Sequence, residues 1–91
     1  MSEQKPQLEE LIDFPSLFTF RAVASARVTL AEEVRTLVES GVGRTAKSVE
    51  IQASKKGAFS SVRVTTMVHS ADEVRGGYAA LKGLDGLKLL L

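Results

Sequence analysis

The stretch SVEIQASKKGAFSSVRVTTMVH, Ser48 to His69, decides the fold. Its first six residues, Ser48 to Ala53, alternate polar and apolar side chains, the period of a strand with one face toward water. Ser54-Lys55-Lys56-Gly57 follows, a hairpin connection whose glycine supplies the positive φ that such loops need. From Ala58 to His69 the chain is β-branched, with Val62, Val64, Thr66 and Val68 on one face and Ser61, Arg63, Thr65 and Met67 on the other. An antiparallel pair thus occupies the middle of the chain, and the architecture depends on what flanks it.

On the N-terminal side, Leu30, Val34, Leu37 and Val38 recur at helical spacing between Thr29 and Ser40, with Glu32, Glu33, Arg35 and Glu39 mostly opposite. Thr29 is the expected N-cap with Glu32 three residues on, Glu33 adds charge to the first turn, and Gly41-Val42-Gly43 ends the helix. Before it, Leu17 to Ala24 alternates Phe18, Phe20 and Ala22 against Leu17, Thr19, Arg21 and Val23. Apolar character on both faces, with Arg21 the only charge, marks a central strand. Leu8, Leu11 and Ile12, separated by Glu9 and Glu10 and followed by Asp13, predict a short amphipathic turn stopped by Phe14-Pro15, and residues 1–7 a flexible tail.

The C-terminal side repeats the pattern. Ser70-Ala71-Asp72-Glu73 has capping-box spacing and opens a helix with the apolar stripe Val74, Tyr78 and Leu81. Gly76-Gly77 within it costs about 1 kcal/mol per glycine relative to alanine, so either close packing requires the pair or the helix is locally weak. Gly83 ends the helix, and Asp85-Gly86 turns into a last strand from Leu87 to Leu91.

The order β-α-β-β-α-β predicts an α+β, ferredoxin-like two-layer sandwich, or alpha-beta plait, as one domain over residues 8–91. Its four-stranded antiparallel sheet would run 4-1-3-2 with both helices on one face. The other face, carrying Leu17, Val23 and Met67, is then open. A chain this short buries only about 60 to 65% of its unfolded surface, so burial against a partner there would be favourable.

Composition narrows the chemistry. The 91 residues carry 12 Lys+Arg against 11 Asp+Glu, a net charge of +1, so no global field argues for nucleic acid or anionic lipid. No apolar run approaches the ~20 residues of a membrane helix, and the N-terminus lacks the basic-then-apolar pattern of a signal peptide, which makes the cytoplasm the expected location. With 0 Cys and 1 His, thiolate catalysis and zinc fingers are excluded and a metal would need mostly carboxylates. His69 reads as a strand-end polar residue, and the adjacent acids Glu9, Glu10, Asp13, Glu32 and Glu33 as solvated helix faces. No catalytic residue, metal or cofactor is expected.

Two binding chemistries and one enzymatic chemistry use this topology. RNA-recognition domains place a basic-Gly-aromatic motif on the third strand, but after Lys56-Gly57 an aromatic is required where Ala58 stands and another beyond Val62, where Arg63 stands. Acylphosphatases use a glycine-rich phosphate cradle after the first strand, where this chain has Ala24-Ser25-Ala26-Arg27-Val28-Thr29, with the arginine but without the glycines. ACT-type regulatory domains bind amino acids near that same loop, which makes Ser25, Arg27 and Thr29 the candidate ligand-binding residues of that alternative.

Ile12-Asp13-Phe14-Pro15, Leu17-Phe18-Thr19-Phe20 and Ser54-Lys55-Lys56-Gly57-Ala58-Phe59-Ser60-Ser61-Val62 together resemble the signatures of the YbeD-like family of small bacterial proteins, from about Leu8 to Leu91. The resemblance implies a ferredoxin-like, ACT-like fold in a family of unknown function, for which gene neighbourhood suggests a link to lipoate metabolism. It implies no catalytic residue. It marks Asp13, Phe14, Pro15, Lys56, Gly57, Phe59 and Ser61 as pattern positions: Pro15 for strand entry, Gly57 for the turn, Phe14 and Phe59 for burial, and Ser61 for a hydroxyl bonding to the loop. Where other members often have glycine after the first strand, this chain has Ala24-Ser25.

The expectation is a non-enzymatic regulatory or adaptor module binding an unidentified protein partner through its sheet and hairpin, with Lys55, Lys56, Gly57, Phe59 and Arg63 as partner-binding residues. A small-ligand sensor is the alternative and an RNA-binding module the third. No membrane partner is expected. The hydrophobic last strand allows a homodimer, or a monomer in which Leu8 and Leu11 cover Leu90.

Overall fold

The alternating and helical periods resolve into β1 (Ser16–Ser25), α1 (Leu30–Val42), β2 (Ser48–Ala53), β3 (Phe59–Val68), α2 (Ala71–Leu81) and β4 (Leu87–Leu90), the expected order. These come from a computed structural model that describes residues 13–91. The tail over residues 1–7 and the turn through Leu8, Leu11 and Ile12 lie outside the described residues, as does any cover of Leu90 by Leu8 and Leu11.

The strands form one antiparallel sheet in the order β2-β3-β1-β4, the expected 4-1-3-2 read from its other edge. β1 and β3 pair over their whole length, from Ser16 opposite Val68 to Ser25 opposite Phe59. Since side chains alternate and cross-strand partners share a face, this register sends Phe20, Ala22, Ala24, Val62, Val64 and Val68 toward the helices, and all six are buried. Leu30, Val34, Val38 and Val42 of α1 and Val74 and Leu81 of α2 meet them. Burying each such side chain stabilises the fold by about 1.5–3 kcal/mol. Thr66 is buried among them, its hydroxyl donating to the Thr45 carbonyl at 3.2 Å.

Gly76-Gly77 answers to packing. A Cβ on Gly76 would overlap the Gly41 carbonyl oxygen, and one on Gly77 would lie 2.5 Å from the Phe20 ring. The two glycines let α2 approach α1 and the sheet together. Phe18, Phe20 and Tyr78 then form an edge-to-face cluster, Phe20 to Tyr78 at 5.0 Å between centroids.

Several local expectations change. Thr29 is the N-cap residue of α1 as expected, but its hydroxyl donates to the Glu33 carboxylate at 2.6 Å instead of accepting a backbone N–H. The helix ends within Gly41-Val42-Gly43 as expected, at left-handed Gly43, which donates its N–H to the Glu39 carbonyl at 2.8 Å. α2 begins as expected, with the Glu73 N–H bonded to Ser70 Oγ, but the Glu73 carboxylate accepts from the His69 N–H. It ends at Leu81 in a tightened turn, two residues before Gly83, whose φ is not positive. Alternation in β2 is real, yet Ile51 is 52% exposed because the helices do not reach over this edge strand.

Candidate functional site

The open face of the sheet collects every odd-numbered residue of the β1–β3 pair: Leu17 opposite Met67, Thr19 opposite Thr65, Arg21 opposite Arg63, Val23 opposite Ser61 and Ser25 opposite Phe59. β2 adds Ser48, Glu50 and Gln52, and Leu89 lies opposite Val23 on the other side. Leu17 is 56% and Leu89 49% exposed, and Thr19 and Thr65 join their hydroxyls at 2.8 Å. The centre of this face is therefore polar and charged, with Arg21, Arg63 and Glu50 side by side across the strands and apolar side chains at its ends.

Where the β2–β3 hairpin rises from the sheet it walls a groove of about 350 Å³ against β1, lined by Arg21, Val23, Gln52, Lys55, Phe59 and Ser61 among others. Gly57 has φ 73°, which fits the turn to a residue without a side chain. The Ser54 hydroxyl and carbonyl brace it, accepting from Phe59 N–H at 3.3 Å and Gly57 N–H at 3.0 Å. A second depression of about 220 Å³ continues over Glu50, Gln52, Ser61 and Arg63.

Of the five hairpin-side candidates, the structure brings Lys55 and Phe59 into the groove and Arg63 beside it. Lys56 and Gly57 stand exposed at the turn. Phe59 is half-buried, and the Lys88 ammonium covers its ring at 4.7 Å. Ser61 bonds within the sheet, not to the loop: its hydroxyl accepts from Arg21 Nε at 2.9 Å. Arg21 and Lys88 thus border this candidate site, and the sequence reading did not select them. The signal available for Arg21 was its status as the only charge on a central strand.

The loop candidates are brought together differently. Arg27 donates Nε and Nη2 to the two Glu33 carboxylate oxygens at 2.8 and 2.9 Å, Nη2 also to the Asp85 carbonyl, and Nη1 to the Ser25 carbonyl. With Thr29 also bonded to Glu33, the polar groups of Arg27 and Thr29 are engaged in a strap tying β1–α1 to the turn before β4. The Arg27 and Thr29 hydrogen bonds hold the Glu33 carboxyl down at about 2. Beside the strap, Leu37, Leu84, Thr36 and Glu32 line a groove of about 390 Å³.

The aromatics that base stacking would need are not on the open face of β1: Phe20 is buried and Phe18 half-buried, both against Tyr78. Among the described residues no cluster of His, Cys, Asp and Glu could hold a metal ion. Among those residues no helix is long and apolar enough to cross a membrane.

The fold is shared with the solution structure of protein HP0495 from H. pylori, at a TM-score of 0.74 and 24% identity, covering 97% of this chain and 89% of that one. In sequence, the chain is similar to a UPF0250 protein of Shewanella loihica, 35% identical over 93% of this chain and 96% of the relative. A UPF0250 protein of Pasteurella multocida is 28% identical over the same shares. These relatives agree with the YbeD-like resemblance, and none carries the name of an enzyme. With residues 9–91 matching its profile, the chain belongs to the bacterial family described as "Protein of unknown function (DUF493)".

Proposed function

We propose that this chain is a non-enzymatic regulatory or adaptor module of the cytoplasm that recognises a protein partner across the open face of its sheet and the β2–β3 hairpin. The observation that carries this reading is the uncovered sheet face itself, on which Leu17 and Leu89 stand about half exposed at either end of a polar centre. Non-obligate protein interfaces mix apolar and polar surface in this way, and the groove beside the hairpin adds relief for specificity.

Affinity capture from the host lysate, with the wild type and L17S/M67S compared side by side, tests the reading. One protein enriched at near-stoichiometric level, lost in the variant and bound again when both proteins are purified, is the expected result. An unchanged set of retained proteins would reject it. So would turnover of a substrate that a single substitution abolishes.

A small-ligand sensor, possible in this fold, is favoured by one observation, the groove of about 390 Å³ beside the Arg27–Glu33 strap. Amide shifts at Leu37 and Leu84 on adding amino acids or lipoate-related acids would support it over the adaptor reading.

A further inference from the structure

Selection among partners falls to the charged middle of the open face. Arg21 and Arg63 are direct cross-strand partners there, which sets their Cβ atoms about 5 Å apart. Like charges so placed repel one another. Arg21 is half-buried and donates Nε to Ser61 Oγ, and Arg63 is exposed. Glu50 of β2 stands opposite Arg63 on the same face, yet among the described residues neither guanidinium closes an ion pair, although pairs such as Arg27–Glu33 and Arg44–Glu73 form elsewhere. Lys55 lines the groove on one side of the pair.

We infer that the Arg21–Arg63 pair is an anion-recognition site for the carboxylate side chains of an extended acidic segment of a partner protein. This rests on the partner-binding reading above and names the partner's chemistry. Two planar guanidinium forks side by side match carboxylates bidentately, and an acid between them removes the repulsion that the free protein carries. Leu17 and Met67 face each other four residues along the same strands, about 13 Å away. The bound segment therefore carries an aliphatic residue four positions from its acid, an even spacing that keeps both on one side of an extended chain. Nucleic acid offers the same charge, but stacking needs bare rings, and Phe59 on this face is capped by Lys88.

The test titrates full-length 15N-labelled protein with the blocked peptide Ser-Leu-Thr-Ala-Thr-Glu-Ser-Glu at about 20 mM NaCl, where screening is weak. Parallel titrations use the same peptide with Gln for Glu, an oligouridylate of equal length, and inorganic phosphate. Saturable shifts of the Arg21 and Arg63 Nε–H signals and of the Ser61 amide are expected. Affinity should fall about tenfold or more with the neutral peptide, with R21Q/R63Q, or at about 300 mM NaCl. K47Q/K82Q, an equal loss of charge elsewhere, should keep it. R21Q/R63Q removes a repulsion at solvent-facing positions, and a dispersed spectrum verifies its fold.

Absence of saturable shifts at about 5 mM peptide, well beyond the millimolar range of weak binding, overturns the inference. So does tighter binding of oligouridylate, which would make the face a nucleic-acid surface, or equal binding of phosphate, which would make it a small-anion site. Self-association of the protein alone, lost in R21Q/R63Q, would assign the face to a second copy instead. If the acidic peptide fails while L17S/M67S still loses its captured partner, only the acidic chemistry falls. If L17S/M67S keeps every captured protein, the partner-binding reading falls with it.

Discussion

Gly41 of α1 and Gly76 of α2 face each other so closely that a Cβ on either would overlap the carbonyl oxygen of the other. The helices therefore touch through backbone. This contact lets both lie on one face of β1 and β3 and leaves the second face of the sheet uncovered.

Replacing either glycine with alanine sets a helix-propensity gain of about 1 kcal/mol against a backbone clash that no rotamer relieves. The clash should prevail. G41A and G76A should each lose about 2 kcal/mol or more in urea denaturation. G83A is the control, since its Cβ would meet the Ala80 carbonyl oxygen at an ordinary 3.4 Å and its φ is not positive. Stability in G41A equal to that in G83A would mean the helices can separate without loss.

Gly77 makes a different contact, with a side chain. A Cβ there would lie 2.5 and 2.6 Å from two atoms of the Phe20 ring, which is fully buried. G77A should destabilise by about 1–3 kcal/mol through overpacking, and F20L by a smaller core defect. Because the second change makes room for the first, F20L/G77A should be more stable than the sum predicts by about 1 kcal/mol. Strict additivity would show that the strain of G77A is relieved elsewhere.

Strand alternation, helical spacing and the Gly57 turn made the fold legible, including the place of β1 and β3 at the centre of the sheet. Each depends on residues near one another in the chain. Gly76-Gly77 could not be resolved that way, since what decides it is Gly41 on another helix and Phe20 on a distant strand. Ile51 fails for a related reason: alternation names its face, but whether a helix covers that face depends on the width of the sheet. Arg21 escaped selection as a site residue because its meaning lies in the β1–β3 register, which places it opposite Arg63 across a connection of more than thirty residues. That Lys55, Phe59 and Arg63 lie close together was legible because one short hairpin carries all three.

Acid should loosen the strap between β1 and the turn before β4. The Glu33 carboxyl is held at about 2 by Arg27 and Thr29, against 4.5 when unperturbed. A depressed carboxyl contributes stability above its unfolded value, and that contribution disappears as pH falls from about 4.5 toward 2. E33Q should therefore melt below the wild type at pH 7 and converge with it toward pH 2, where Glu33 is also neutral. Melting curves across this window provide the measurement. A difference that stays constant with pH would show that Glu33 acts through packing and not through its charge.

The Arg21–Arg63 opposition makes a prediction about the free protein that needs no ligand. Directly opposed like charges on a strand pair cost about 0.2–1 kcal/mol relative to neutral pairs. A double-mutant cycle of R21Q, R63Q and R21Q/R63Q isolates that interaction from the loss of the Arg21–Ser61 hydrogen bond, which R21Q incurs by itself. The coupling should be repulsive and should shrink as NaCl rises from about 10 to 200 mM, as the Debye length contracts from about 30 Å to under 10 Å. Urea denaturation of the four proteins at both salt concentrations measures it. A coupling of zero at low salt would mean that the guanidinium groups splay apart in the free protein. Two cations that do not meet would then offer an acidic segment no pre-formed fork, and the affinity of the open face would have to come from its apolar ends.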